Sequence, residues 1–236
     1  MELLDPNRWP LSSYFLSGYL SVNKKDEENF PPDQMAAVFD GFEKIFASSL
    51  MSLGLSKESL KNKSEFDFDS GDAANLESGI AVLRVVNVLE SKNYVNLTLI
   101  KPKKNSSGAD LTAEMNGVKV CFEVKAITKQ SSGRRSRFFA DQLYEKILES
   151  LPQARKQLES SARELQCPFK ILCPVVNWTA QSIYLGEGSL QQVVDKLEQN
   201  GEQRSLDGID GVWLIMRMGN DFLFLSHRAR PFLDPK

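Results

Sequence analysis

The sequence predicts an α/β fold, a mixed central sheet flanked by helices with a helical extension at the N-terminal end. Three observations carry this expectation. Apolar residues recur at three- and four-residue spacing in residues 1–91, and the period then shortens to two or to compact apolar runs. Those strand-like runs are interrupted by long helical patterns, so both element types share one core. An Asn-Gly dipeptide at 116–117 sits between two alternating runs, which is the signal of a two-residue hairpin.

The elements follow in order. Residues 1–70 read as helical and loop-rich, punctuated by Pro6, Pro10, Pro31 and Pro32. Within them Met35, Val38, Phe39, Phe42, Ile45, Phe46, Leu50 and Leu53 form one apolar helical face, with Asp33 as N-cap and Gly54 as stop. SKESLKNKSEFDFDSGD reads as a polar linker. A second helix runs from Ala74 to Ser91 with Leu76, Ile80, Leu83, Val86 and Leu89 inward. Strands are expected at 93–100, 109–115 and 118–128, then a helix over 138–165, kinked or broken near Pro152. A buried strand at 169–178, a helix at 189–201 and a strand pair at 211–218 and 221–228, turned at Gly219-Asn220, complete the chain. This gives two parts: a helical segment, 1–70, and an α/β domain, 71–236.

Composition excludes several classes of function. No apolar run reaches the length of a membrane span, and MELLDPNRWP lacks the basic-then-apolar pattern of a secretory leader, so a cytoplasmic location is expected. Cys121, Cys167 and Cys173 form no CxxC pair and sit in apolar stretches, so they read as reduced core residues. With His227 the only histidine, mechanisms needing two histidines are excluded. No phosphate-binding loop, dinucleotide fingerprint or nucleophile elbow is present, so no nucleotide cofactor is expected. Residues 1–80 carry 7 Lys/Arg against 14 Asp/Glu, whereas 81–236 carry 22 against 17, so the basic surplus that suits a polyanionic partner lies in the second part.

One stretch carries charge where a core strand should not. In SGADLTAEMNGVKVCFEVKAIT, Glu123 and Lys125 lie two apart on one strand and so share a face. The hairpin at Asn116-Gly117 brings Asp110 near Lys125. Burying Glu and Lys costs several kcal/mol unless they are paired or bind metal. Hydrolysis of a phosphodiester needs a hard cation held by oxygen ligands and an activated water, and two acids with a neighbouring lysine suit that chemistry.

This pattern resembles the PD-(D/E)xK, or restriction-endonuclease-like, nuclease superfamily. Ala109-Asp110 stands at its Pro-Asp position, and Glu123-Val124-Lys125 supplies the ExK. The stretch 74–178 is similar to Holliday-junction resolvases and Mrr-like enzymes, whereas residues 1–70 lie outside the resemblance. The resemblance implies a restriction-endonuclease-like sheet and a Mg²⁺-dependent deoxyribonuclease, with Mn²⁺ able to substitute. Asp110 and Glu123 would be metal ligands and Lys125 the catalytic lysine. A further acid on the preceding helix would be Glu77, with Glu90 as the fallback. A glutamine on the following helix would be Gln157 or Gln153. Lys103, Lys104, Lys129, Arg134, Arg135 and Arg137 flank the motif and, with Gln157, are expected to grip DNA. A homodimer is expected because one such site cuts one strand. The alternative is a catalytically inactive module on the same fold that binds nucleic acid or a protein partner.

Overall fold

The structure is a computed structural model, and it describes residues 4–22, 32–63, 72–100, 108–127, 140–176, 192–197, 199, 206, 208–216 and 221–234. It divides into two compact units, Met1–Ser91 and Lys92–Lys236. The first is helical and the second holds the sheet, so the observed class is mixed α/β. The boundary falls after the second helix expected from the sequence, not near residue 70. None of the described helices is long and apolar enough to cross a membrane.

The helical unit contains α1 (Pro10–Val22), α2 (Pro32–Leu53), α3 (Lys57–Lys63) and α4 (Ala73–Ser91). Phe39, Phe42 and Phe46 of α2 are buried, and Phe46 stacks on Phe15 of α1 with centroids 4.5 Å apart. Leu76, Ile80, Leu83, Val86 and Leu89 of α4 are buried as their spacing requires. Two structural findings revise the expectations for this unit. The prolines at 10 and 32 do not break helices but begin them, because the first helical position needs no amide hydrogen. The start of α1 is capped from α2, where the Glu43 carboxylate accepts the Leu11 and Ser12 amides at 3.0 and 2.8 Å. The supposed polar linker contains α3, entered through Ser56 Oγ accepting the Ser59 amide at 3.1 Å, and its Leu60 is fully buried. A single inward leucine was too sparse a pattern to show as a helical face.

The second unit is a six-stranded sheet in the order β1 (Val95–Leu99), β2 (Leu111–Met115), β3 (Val118–Ile127), β4 (Phe169–Val176), β5 (Gly211–Ile215) and β6 (Asp221–Leu225). The β1-β2 and β2-β3 pairs on one side and the β5-β6 pair on the other are antiparallel, while β3, β4 and β5 run parallel. Asn116 and Gly117 both have positive φ, +51° and +74°, so a two-residue turn of the type that matches strand twist joins β2 to β3. α5 (Ala140–Leu165) makes the crossover from β3 to β4 and packs on both strands. It is assigned as one helix through Pro152. Leu143, Ile147, Leu151, Ala154 and Leu158 form its buried stripe, packed with Cys121, Leu172, Val212 and Leu214 of the sheet. Residues 192–197 are helical and are numbered α6, and α7 (Arg230–Leu233) follows β6. The expected turn at Gly219-Asn220 lies outside the described residues.

Candidate active site

The register of the central hairpin brings the charged residues together. Leu111 pairs with Phe122, and the Asp110 amide donates to Phe122 O at 3.0 Å, so Asp110 meets β3 beside Glu123. At this point β2 forks. The Asp110 carbonyl accepts the Ile100 amide at 2.9 Å, while its side-chain Oδ2 accepts the Val124 amide at 2.7 Å in place of a ladder carbonyl. The carboxylate is thereby fixed by the backbone between Glu123 and Lys125.

Glu123 and Lys125 share the face of β3 that meets α5, as their spacing of two requires. Lys125 Nζ lies 2.6 Å from Glu123 Oε1. The two side chains differ in access. Glu123 is 1% exposed, whereas the lysine side chain keeps 22%, so the acid is sealed in and the lysine is partly open to solvent. Lys125 also donates to Gln157 Oε1 of α5 at 3.0 Å, and Gln157 Nε2 donates to Gly108 O at 3.2 Å. One turn on, Ser161 Oγ accepts the Ala109 amide at 2.8 Å. Gln157 and Ser161, four apart on one helical face, therefore hold the segment that delivers Asp110. A side chain at Gly108 would approach Ser161 Oγ to 3.0 Å, so the close fit favours glycine there.

A neighbouring thiol registers the local negative charge. Cys173 of β4, paired in register with Val124, is completely buried, and its thiol pKa is pushed well above the ordinary value by that burial and then by the charges of Asp110 and Glu123.

This donor chemistry fits a hard divalent cation. Asp110 is anchored on the Val124 amide, and Glu123, the preceding residue of β3, is buried beside Lys125; Mg²⁺ is commonly held by one or two carboxylates with its remaining ligands from water and phosphate. Among the described residues no group of three or more His, Cys, Asp or Glu side chains is gathered, so Asp110 and Glu123 are the acids that could hold such a cation there.

The other expected residues fall as follows. Glu77 is buried on α4 in the helical unit, and the geometry above is built without it. Glu90 accepts a hydrogen bond from Ser48 Oγ at 3.1 Å within that same unit. Lys103, Lys104, Lys129, Arg134, Arg135 and Arg137 lie outside the described residues. Gln157, expected to contact DNA, is found bonded to Lys125 and Gly108. Ser161 and Cys173 were not singled out from the sequence. Ser161 could have been found from its place four residues after Gln157, whereas Cys173 becomes a neighbour only through the parallel pairing of β3 with β4.

No family model and no curated protein matches this sequence. Among solved structures, the chain resembles one from the "CdiA-CT/CdiI toxin and immunity complex from Burkholderia pseudomallei", with 14% identity and a TM-score of 0.36 over 66% of this chain and 89% of that one. At that distance the resemblance assigns neither family nor activity, and the chemistry rests on the residues themselves.

Proposed function

We propose that this protein is a Mg²⁺-dependent endonuclease that hydrolyses phosphodiester bonds of DNA, with Asp110 and Glu123 as metal ligands and Lys125 as the catalytic lysine. The observation that carries the reading is the near-contact of Lys125 Nζ with a 1%-exposed Glu123, beside a carboxylate clamped by the Val124 amide. A lone surface ion pair would be worth about 0–1 kcal/mol and would gain nothing from sealing its acid. Burying an acid at this depth is costly, and a bound cation offsets that cost.

Asp110 and Glu123 would hold a divalent cation, which when bound would supply charge neutralisation at the scissile phosphate and a water of lowered pKa. Asp110 is fixed by the Val124 amide, so the strand backbone sets the position of that ligand. Lys125 is held between Glu123 and Gln157, and in this proposal its ammonium steadies charge growing on the phosphate oxygens and orients the attacking water. Glu77 is kept as a further candidate acid in this proposal. The basic residues that flank the motif, Lys103, Lys104, Lys129, Arg134, Arg135 and Arg137, are proposed as phosphate contacts. Each site cuts one strand, so scission of a duplex takes two copies. Cytoplasmic DNA is the proposed substrate pool.

The test is cleavage of supercoiled plasmid with Mg²⁺ or Mn²⁺. Wild type is expected to nick and then linearise it. Lys125→Ala and Asp110→Ala, checked for folding by circular dichroism, are expected to lower the rate by a factor of about 10²–10³ or more, comparable with loss of one preorganised charge-stabilising group. A Lys125→Ala rate equal to wild type would remove Lys125 from the mechanism. Metal-independent binding without cleavage would leave the catalytically inactive module.

A further inference from the structure

The sheet face opposite the proposed active site carries a separate cavity. Val212 and Leu214 of β5 pack into the cluster that includes α5, so strand alternation turns Trp213 to the other face. There β6 adds every second residue, Asp221, Leu223 and Leu225, and these line a cavity of about 270 Å³ together with Trp213. Leu223 pairs in register with Trp213, so the middle of the cavity is apolar. Its charged groups stand towards the two ends of the strand, about 13 Å apart from Asp221 to Leu225. At the first end Asp221 is fully committed. Its Oδ2 accepts the Trp213 indole N–H at 2.7 Å, and its Oδ1 pairs with Lys92 at 3.5 Å. At the second end α7 folds back, with the Ala229 and Arg230 amides both donating to Ser226 O at 3.0 Å. Asp234 caps α7 one turn after Arg230, and both residues line the cavity. α7 is tied down there, because Asn116 donates to Phe232 O at 2.9 Å and Leu233 is fully buried.

We propose that this cavity binds a free α-amino acid with an apolar side chain. Neither the Arg230 guanidinium nor the Asp234 carboxylate has an ion-pair partner among the described residues. The α7 end therefore presents one cation and one anion beside an apolar floor. An α-amino acid carries the inverse pair on a single carbon. Its carboxylate suits the guanidinium fork, which takes such a group through two parallel bonds, and its ammonium suits Asp234. Its side chain then runs along Leu225, Leu223 and Trp213 towards the Asp221–Lys92 pair. A simple anion would satisfy Arg230 but set its charge against Asp234, and a simple cation would do the reverse. The mixed pair thus selects a zwitterion by repulsion as well as attraction. Size points the same way. A cavity of about 270 Å³ lies just below the roughly 300–1,000 Å³ of pockets that take drug-sized ligands, so it suits a smaller molecule.

The experiment titrates the folded full chain with L-leucine and follows binding by saturation-transfer NMR on the ligand. Saturable binding at one site is expected. N-acetyl-L-leucine lacks the cation and L-leucinamide lacks the carboxylate, and each is expected to bind about tenfold or more weakly, the loss of one hydrogen-bonded charge contact. Glycine keeps both charges without a side chain and is expected to lose about as much. Arg230 and Asp234 are both exposed, so their substitution leaves the core intact. Asp234→Asn should weaken L-leucine by about tenfold yet leave N-acetyl-L-leucine as it was. Arg230→Gln should weaken L-leucine likewise yet leave L-leucinamide as it was. Absence of saturable L-leucine binding, or wild-type affinity in both variants, would overturn the proposal. So would N-acetyl-L-leucine binding as tightly as L-leucine, which would mark a plain anion site, or glycine doing so, which would remove the apolar floor. These readouts need neither metal nor cleavage, so they leave the nuclease reading to its own test.

Discussion

Lys125 has two partners of different kinds, and their removal should have separable effects. Gln157 gives it a neutral acceptor and also anchors Gly108. Gln157→Ala is therefore expected to lower stability in urea unfolding by about 1.5–3 kcal/mol, the range for a hydrogen bond to a charged group, and to slow plasmid cleavage. Its Mn²⁺ affinity should fall less than that of Asp110→Asn, because Gln157 positions the segment before Asp110 but is not itself an acid ligand. A second residue-scale expectation concerns Asp210, which is away from the proposed chemistry. Its Oδ2 accepts the Lys170 amide at 3.0 Å, and burial raises its pKa above the ordinary carboxylate value, outweighing that hydrogen bond and the Arg228 charge. A carboxyl raised on folding binds its proton more tightly in the native state. Its contribution is thus full below the unfolded pKa of 3.8 and is lost as pH rises through the folded value. Asp210→Asn keeps an acceptor for Lys170 and removes the titration. Thermal unfolding should show the variant gaining on wild type as pH rises from about 4 towards 7. A constant difference across that range would exclude Asp210 as the cause.

At the scale of elements, α3 gives the plainest test of packing. Leu60 is its fully buried leucine, so Leu60→Ala should cost about 2–5 kcal/mol in urea unfolding, where a solvated linker would lose almost nothing. What was legible in the sequence follows the same logic of pattern length. α2, α4, α5 and the six strands have repeated apolar periods, and each is found within a few residues of its expected place. The Asn116-Gly117 hairpin was readable because positive φ at both positions demands those residue types. α1, α3 and α7 were missed for distinct reasons. Proline at the head of α1 resembles a breaker, α3 shows only one deeply buried leucine, and α7 is a single turn. In the site, Glu123 and Lys125 on one face followed from strand alternation. The clamp of Asp110 on the Val124 amide did not, since it depends on the fork between β1 and β3. Gln157 was singled out, but for a different task, because helix position alone does not reveal that Lys125 bends towards it.

For the whole molecule, the sheet unit is organised around parallel strands buried on both faces. β4 and β5 are buried along nearly their entire lengths, whereas β1 at one edge is largely exposed. Native-state hydrogen exchange should accordingly find the slowest amides in β3, β4 and β5 and the fastest sheet amides in β1. Equal protection across all six strands would contradict that hierarchy. The same buried centre carries Glu123 and Lys125, so the proposed metal site would be held in place by the sheet. The most direct measurement is therefore a calorimetric titration of the folded protein with Mn²⁺, beside Asp110→Asn and Glu123→Gln. Wild type should bind one or two ions, and each substitution should abolish or sharply weaken the main binding step. A flat wild-type titration, or isotherms that the two substitutions leave unchanged, would contradict a metal site built on Asp110 and Glu123.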